Sequence, residues 1–277
     1  MSAPVYSLGY STCPNDTFIF YALVRDRLPG APGFREVLED IETLNGMAGR
    51  GELDIVKVSF HALAHLREEY CLLRSGGALG RGCGPLVVAR EALSPGELGG
   101  LRVAVPGALT TAALLLRLFA PGSPAPVILP FHEIMPAVRD GGVDAGVIIH
   151  ESRFTYPDYG LRQVVDLGEW WEQETGRAIP LGGIAARRNL GAEAVAAIDK
   201  ALRRSVEYAH AHPEETREYV AAHAQEMERA VVESHIALYV NDFTLDYGSE
   251  GTAAIEELMR RAGEAGVVAA GDQPLFA

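Results

Sequence analysis

The sequence lacks most of the short motifs that would assign a chain of this length to a familiar enzyme class. It has no CxxC pair, no HExxH metal motif, no GxSxG nucleophile elbow and no GxGxxG turn. Each of these motifs places specific groups around a zinc ion, an acyl group or a dinucleotide, so the common signatures for those ligands are missing. With 277 residues, 48% of them apolar, the chain is still long enough for one large domain or two medium ones.

Positive charge is also scarce. Lys and Arg together number 24 against 37 Asp and Glu residues, which gives a formal net charge of −13. Proteins that bind nucleic acid or anionic membranes present basic patches, so neither partner is expected. A small anionic ligand remains compatible with this charge, because it needs only a few local hydrogen-bond donors.

Cysteines and long apolar runs are few. The three cysteines, Cys13, Cys71 and Cys83, cannot all pair within one chain, which is typical of reduced thiols in the cytoplasm. No apolar run approaches the ~18 residues of a membrane-spanning helix, and the first residues lack the basic and apolar regions of a signal peptide. The sequence therefore predicts a cytoplasmic protein.

What the chain does contain is one pattern used twice. Residues 51–59 (GELDIVKVS) and 141–150 (GGVDAGVIIH) each have a glycine turn, an Asp and a short apolar run that ends in polar residues. Such runs are typical of buried strands. Because ligands of open α/β sheets bind at the carboxyl ends of the strands, Lys57, Ser59 and His150 are expected at a binding site.

Each copy of the pattern is the last part of a predicted module, whose elements follow in the order strand, polar loop, apolar helix, strand, helix and strand. Two such modules predict an α/β fold with two lobes that face each other across a ligand cleft. A glycine-rich stretch at 75–84 suggests a crossing between the lobes. We expect a larger discontinuous lobe of residues 1–90 plus 188–277, with the C-terminal helices packed on it, and a smaller lobe of residues 91–187.

The strongest chemical candidate is His150, because neutral imidazole acts as a general base near pH 7. The alternative is a buried structural histidine. Lys57 and Ser59 alternate with Val58 and so share one face of a strand, where an ammonium and a hydroxyl suit a carboxylate or a polyol. The alternative is a surface lysine and a helix cap.

Thr110 and Thr111 stand where a predicted strand gives way to a helix. Free backbone amides at a helix start bind anions, and the alternative is ordinary N-capping by Thr110. Both can hold together, because the Thr111 hydroxyl is expected to remain free. Asn15 contacts a ligand or caps the first helix, and Asp16 is a plausible cap of the same helix. Cys13 is interpreted as structural, because no partner that would activate it as a nucleophile is evident.

No metal or cofactor site is expected. His61 and His65 have the spacing of two metal ligands, but Ala62 stands where the HExxH motif has Glu. One of Trp170 and Trp171 is expected as core filler rather than as a stacking surface. Four further histidines lie on amphipathic helices and are expected to be exposed: His210, His212, His223 and His235.

Nearly the whole chain resembles the 1,4-dihydroxy-6-naphthoate synthase family of the futalosine route to menaquinone. Five segments carry the resemblance: STCPNDTFIF at 11–20, LEDIETLN at 38–45, RSGGALGR at 74–81, VIIHESRFTY at 147–156 and DLGEWW at 166–171. The first and fourth segments are the specific ones. One departure is Thr12, which stands where family members often have Pro.

The resemblance implies a periplasmic-binding-protein type II fold used as a cytoplasmic enzyme. It implies a lyase that converts cyclic dehypoxanthinyl futalosine to 1,4-dihydroxy-6-naphthoate and releases dihydroxyacetone, without metal or cofactor. The family's general base matches His150, its substrate-binding strand end matches Lys57, Val58 and Ser59, and its threonine pair matches Thr110 and Thr111.

Two alternatives stay open at this point. One is a solute-binding protein that closes on a small anionic ligand without chemistry. The other is an enzyme similar to chorismate dehydratase from the same pathway. The group that holds the substrate carboxylate is also open, with Arg153 and Tyr156 as candidates, as are contacts from Asn15 and Trp171 and the oligomeric state.

Overall fold

Two β-sheets organise the protein, and each contains one copy of the repeated pattern. The computed structural model describes residues 4–224, 228–269 and 273–276. The first elements are β1 (Val5–Tyr10), α1 (Pro14–Val24), β2 (Gly33–Leu38), α2 (Ile41–Gly49), β3 (Ile55–Ser59), α3 (Phe60–His65), β4 (Tyr70–Leu72) and β5 (Ala78–Gly80).

The chain then forms the second sheet and returns to the first. The elements of the second sheet and its helices are β6 (Leu86–Ala89), β7 (Val103–Val105), α4 (Thr111–Phe119), β8 (Val127–Ile128), α5 (Phe131–Arg139), β9 (Ala145–Ile148), α6 (Ser152–Thr155), β10 (Arg162–Asp166) and α7 (Leu167–Thr175). The returning elements are β11 (Ile179–Arg187), α8 (Ala192–Ala211), α9 (Pro213–His223), α10 (Arg229–Tyr239), α11 (Asp242–Leu245) and α12 (Gly248–Glu264).

The two copies have the same topology. In the first, β1 lies between β2 and β3 with parallel pairing, and Leu8 is opposite Ile55. In the second, β7 lies between β8 and β9, again parallel, and Val103 is opposite Ala145. The buried apolar runs of the repeat are β3 and β9, which are the central strands of their sheets. The prediction of two matching βαβαβ modules is confirmed.

Each repeated strand also pairs with a strand that arrives from the other half of the fold. Strand β11 runs antiparallel to β3, with Gly182 opposite Ser59, and β6 runs antiparallel to β9, with Leu86 opposite Ile148. The predicted ranges had placed β6 in the larger lobe and β11 in the smaller one. Sheet pairing instead puts β6 in the second sheet and β11 in the first. The chain passes to the second sheet before β6 and returns to the first before β11, not after these strands.

The C-terminal helices pack on the first sheet's side, as predicted. Helix α8 contributes Leu202 and Val206 to the apolar cluster that also holds Ile19 and Phe20 of α1. Helices α8 and α9 are amphipathic in sequence because one face of each packs into this cluster, whereas Ile255 and Leu258 of α12 belong to the larger apolar cluster.

Two details of the fold differ from what the local sequence pattern predicts. The pattern over 61–70 predicts one helix, but α3 ends at His65 and Tyr70–Leu72 forms β4, where Cys71 pairs with Ala186 of β11. All three β4 residues are buried, so sheet pairing and packing outweigh helical continuation. The apolar run that begins at Phe18 predicts a later start for the first helix, but α1 begins at Pro14, because proline fits the first helical turn.

Among residues 4–224, 228–269 and 273–276, none of the helices combines the length and apolar character needed to cross a bilayer.

Candidate active site

A cleft lies between the two sheets, at the carboxyl ends of their central strands. Both halves of the fold line it. The residues predicted for the site that line this cleft are Asn15, Asp16, Lys57, Ser59, Thr110, Thr111 and His150. Residues from positions 15 to 150 are thus brought to one place, because the copies face each other across the cleft.

Lys57 leaves β3 toward the cleft and forms a buried ion pair with Asp16 of α1. The two residues are only 5% and 1% exposed. The second carboxylate oxygen of Asp16 accepts hydrogen bonds from the Ser11 hydroxyl at 2.7 Å and the Ser11 amide at 3.2 Å. Asp16 therefore holds the lysine in place, and the prediction that Asp16 caps α1 is wrong, since the N-cap position belongs to Cys13.

Ser59 is fixed by Asn45 of α2. The amide nitrogen Nδ2 of Asn45 donates to Ser59 Oγ at 3.1 Å, and Asn45 Oδ1 accepts from the Ser59 backbone amide at 2.9 Å. Ser59 occupies the N-cap position of α3, but its side chain makes no capping bond. Because the hydroxyl oxygen accepts from Asn45, its own hydrogen is available to a ligand.

Val58 lies between these two polar residues and faces the other way. Its side chain is fully buried in the larger apolar cluster, and its carbonyl oxygen lies 2.8 Å from where a Cβ on Gly182 would stand. Val58 is absent from the residues that line the cleft. It supports the strand, and only glycine at position 182 allows β11 to approach so closely.

The threonine pair at the start of α4 is committed to structural hydrogen bonds. Thr110 caps the helix by accepting from the Ala113 amide at 3.2 Å, as expected, and its hydroxyl donates to the Gly107 carbonyl at 2.9 Å. The expectation of a free Thr111 hydroxyl is wrong, because Thr111 Oγ1 donates to the Leu181 carbonyl at 2.5 Å. The first amides of α4 remain the donors that this end can offer an anion.

His150 follows β9 with a left-handed backbone, φ 56°. The conformation is uncommon for residues other than glycine, and it turns the half-buried ring toward the opposite half of the fold. There His150 Nδ1 lies 3.2 Å from Cys13 Sγ. The ring also meets Phe131 edge-on at 5.3 Å and lies parallel to His235, with 6.3 Å between ring centroids.

The electrostatics of His150 favour its neutral form. Burial of the ring lowers its pKa below the ordinary value of 6.5, a shift that the nearby carboxylates of Glu151 and Asp16 oppose and Lys57 reinforces. Burial also raises the pKa of the Cys13 thiol far above its usual range. Cys13 is therefore a neutral thiol beside a neutral imidazole, not an activated nucleophile.

The only metal-like donor set within reach of the cleft, in the part of the chain that the structure describes, is Cys13, His150 and Glu151. Their donor atoms lie within 4.8 Å of one another. A metal would need the thiolate form of Cys13, whereas burial favours the thiol. His61 is engaged elsewhere, because its Nδ1 pairs with the Thr110 carbonyl at 3.2 Å.

Several residues considered from the sequence do not line the cleft. Arg153 is held by Asp166 and by the Gly84 carbonyl, each at 2.5 Å. Trp171 is fully buried and donates to the Ala178 carbonyl, as expected of core filler. Tyr156 packs against the apolar cluster of the second sheet.

His235 on α10 lines the cleft although nothing in the sequence pattern singled it out. The expectation that it is exposed is wrong: the residue is 1% exposed and lines the cleft. Its Nε2 lies 2.9 Å from Asn15 Oδ1, a contact between residues 220 positions apart. Its helical spacing alone did not separate it from surface histidines.

The architecture defines a two-lobed protein of the periplasmic-binding-protein type. The chain superposes on the alkanesulfonate-binding protein SsuA of Xanthomonas axonopodis pv. citri, solved with MOPS, with a TM-score of 0.65 over 86% of each chain at 17% identity. At that identity the likeness concerns the fold alone. A nearer structural neighbour is protein AF1704 of Archaeoglobus fulgidus, with a TM-score of 0.90, 37% identity, and coverage of 95% of this chain and 98% of that one.

The chain belongs to the menaquinone biosynthesis family, whose model matches residues 6–264. Two curated relatives are both named 1,4-dihydroxy-6-naphthoate synthase. The protein of Streptomyces coelicolor is 54% identical over 98% of this chain and 97% of its own length. The protein of Thermus thermophilus is 55% identical over 97% of this chain and 98% of its own.

Proposed function

We propose that the protein is a 1,4-dihydroxy-6-naphthoate synthase, a carbon–carbon lyase of menaquinone biosynthesis. It converts cyclic dehypoxanthinyl futalosine to 1,4-dihydroxy-6-naphthoate and releases dihydroxyacetone. The observation that carries this proposal is the match of nearly the whole chain, at 54% and 55% identity, to two enzymes of that name.

In this proposal His150 is the general base. Its Nδ1 faces the Cys13 sulfur, so Nε2 is the nitrogen that meets the substrate when Nδ1 carries the proton. The base takes a proton from the non-aromatic ring, and the electron pair of that C–H bond stays in the ring, which becomes aromatic. The carbon–carbon bond breaks, and the three-carbon fragment leaves with the electron pair of that bond and takes up a proton from the imidazolium of His150 to become dihydroxyacetone. Aromatisation supplies the driving force, so one base and accurate positioning suffice without a metal or redox cofactor.

The opposite wall of the cleft binds the anionic substrate. There the Ser59 hydroxyl hydrogen supplies a donor, and the Lys57 ammonium supplies positive charge that Asp16 partly balances. The first amides of α4 add donors from the half that carries His150. Val58 contributes by fixing β3 rather than by side-chain contact. Burial of Lys57 makes its charge count for more than that of a surface lysine, because the local dielectric is low.

Hydrogen bonds across the cleft hold the two halves together around the substrate. Glu42 of α2 accepts from the Leu109 amide at 3.2 Å, and Thr111 donates to the Leu181 carbonyl. A closed cleft excludes water from the base and from the carbanion-like intermediate. The same contacts position the substrate between the binding residues and His150.

The test is a turnover assay with the purified protein. Cyclic dehypoxanthinyl futalosine is added, and naphthoate absorbance and dihydroxyacetone are followed together. We expect both products in equal amounts. A ligand that binds and returns unchanged would instead indicate a solute-binding protein, and turnover of chorismate would indicate the other enzyme of the pathway.

The proposed compartment is the cytoplasm, where the three free thiols would stay reduced. The proposed partner is a small anionic molecule rather than nucleic acid or a membrane, in keeping with the net charge of −13. Fractionation of the source cells, with the activity assayed in each fraction, tests the compartment.

A further inference from the structure

His235 has no part in the mechanism above, yet it is the second imidazole in the cleft. It lies on α10, is 1% exposed, and lines the cleft with His150. Buried histidines normally satisfy both ring nitrogens. Among the residues that the structure describes, only one ring nitrogen of His235 has a hydrogen-bond partner. The surrounding hydrogen bonds determine which nitrogen carries the proton.

The proton position follows from a chain of contacts that begins at Asp16. Its carboxylate accepts from Lys57 and from Asn15 Nδ2, the latter at 2.9 Å. Because the carboxylate only accepts, Asn15 must turn its amide nitrogen toward Asp16 and its oxygen Oδ1 toward His235. That oxygen lies 2.9 Å from His235 Nε2, so Nε2 is the nitrogen that carries the proton and donates.

The other ring nitrogen is then a lone-pair acceptor. His235 Nδ1 is buried and has no hydrogen-bond partner among the residues that the structure describes. Burial lowers the pKa of His235 well below 6.5, and the neighbouring His150 and Lys57 lower it further. The ring is therefore neutral, and Nδ1 is free to accept a hydrogen bond.

The geometry places the ring that carries this acceptor beside the proposed base. The His235 and His150 rings are nearly parallel, at 17°, with centroids 6.3 Å apart. Tyr239, one turn further along α10, packs its ring 4.6 Å from that of His235 and also lines the cleft. The imidazole is thus held by Asn15 and Tyr239, and a substrate in contact with His150 comes within reach of it.

We propose that His235 Nδ1 accepts a hydrogen bond from a hydroxyl of the substrate's three-carbon fragment, next to the carbon that loses its proton to His150. This inference rests on the proposed function. The fragment leaves as dihydroxyacetone, which carries two hydroxyls. A neutral acceptor suits a hydroxyl, whereas the carboxylate at the other end of the substrate has no hydrogen to donate to it.

Two substitutions separate substrate binding from structural support. In His235→Gln the side-chain amide keeps a donor for Asn15 but removes the acceptor at Nδ1. In His235→Asn the oxygen Oδ1 stands near the position of Nδ1, while the bond to Asn15 is lost. His210→Gln, at an exposed histidine of α8, is the matched control.

The closing experiment measures kcat/KM for the wild type and the three variants, with thermal unfolding followed alongside. We expect kcat/KM of His235→Gln to fall about 10- to 100-fold, that of His235→Asn to fall less, and that of the control to stay unchanged. His235→Gln within about twofold of the wild type overturns the proposal. An equal or larger loss in His235→Asn overturns it too, because His235 would then act through Asn15.

A second measurement uses the wild-type protein alone and does not depend on how the variants fold. Substrate analogues with one hydroxyl of the three-carbon fragment replaced by hydrogen are assayed in turn. One analogue should lose about as much kcat/KM as His235→Gln loses with the natural substrate, and unchanged kinetics with both analogues overturns the proposal. Absence of wild-type turnover would instead overturn the proposed function, so the two failures are distinguishable.

Discussion

The two copies of the repeated module share a topology but differ at the ends of their central strands. At the end of β3, Lys57 and Ser59 are bonded to Asp16 and Asn45 of their own half of the fold. At the end of β9, His150 makes its hydrogen bond to Cys13 on the opposite half. Under the proposed function, this difference corresponds to two roles: a fixed binding wall in one copy, and in the other a base whose setting depends on both halves.

The backbone differs at the same point. Ser59 has an ordinary extended conformation, with φ −65°, whereas His150 has φ 56°. Non-glycine residues in the left-handed region cluster at functional sites because the surrounding structure must compensate for the strain. Among the described residues of the second copy other than glycine, only His150 has this strained conformation, and its ring points into the cleft.

The largest expected effect comes from removing the base. His150→Ala should lower kcat by about 10²- to 10⁴-fold while the dissociation constant for the substrate changes little, because the binding wall of the first copy is intact. Steady-state kinetics and calorimetric binding measure the two quantities. His132→Ala, at an exposed histidine of the same half, is the control. Near-normal turnover by His150→Ala would contradict the proposal that the second copy supplies the base.

The next effect concerns the buried ion pair of the first copy. Lys57→Met leaves the Asp16 carboxylate buried without its cation, so the free energy of unfolding should fall by about 3–5 kcal/mol. Urea denaturation measures the change. Adding Asp16→Asn to Lys57→Met should recover part of the loss, and a double variant less stable than the single one would contradict this account.

A smaller effect is expected at Ser59. Ser59→Ala removes the hydroxyl hydrogen offered to the ligand and leaves Asn45 Nδ2 without one acceptor, so KM should rise about 5- to 10-fold with kcat nearly constant. Ser234→Ala, at an exposed serine of α10, is the control. A fall in kcat with constant KM would instead indicate that Ser59 acts in the chemical step and not in substrate binding.

The smallest effect is a shift in pH dependence. With His150 as the proposed base, activity requires its neutral form, which exists above the pKa of the ring. The nearby Glu151 carboxylate raises that pKa against the larger effect of burial. Glu151→Gln removes the opposing charge, so the acidic limb of the kcat/KM profile should move to lower pH. Profiles from about pH 4 to 8 measure the shift, with Glu133→Gln as the exposed control. Movement to higher pH would contradict the assignment.

The sequence was informative where function depends on local pattern. The apolar runs that end at Ser59 and His150 predicted both central strands and both sides of the cleft, and Thr110 was identified as a helix cap. These features depend on periodicity and turn chemistry within a few residues. The family resemblance extended them to an activity.

The remaining features depend on contacts between distant parts of the chain. Cys13 and His150 are 137 positions apart, and Asn15 and His235 are 220 positions apart. The bond from Thr111 to Leu181 likewise exists only once α4 and β11 meet. The apolar periodicity of α10 predicts that one face of this helix is buried. It does not predict that the same face lines a cleft that contains a second histidine.

The exchange of β6 and β11 between the two halves has a consequence for synthesis on the ribosome. Strand β11 begins about 120 residues after β3 ends, so the first sheet emerges with the edge of its central strand open. An open edge offers unpaired amides and carbonyls to other chains. The nascent protein must therefore keep β3 from pairing wrongly until Ile179–Arg187 has been translated.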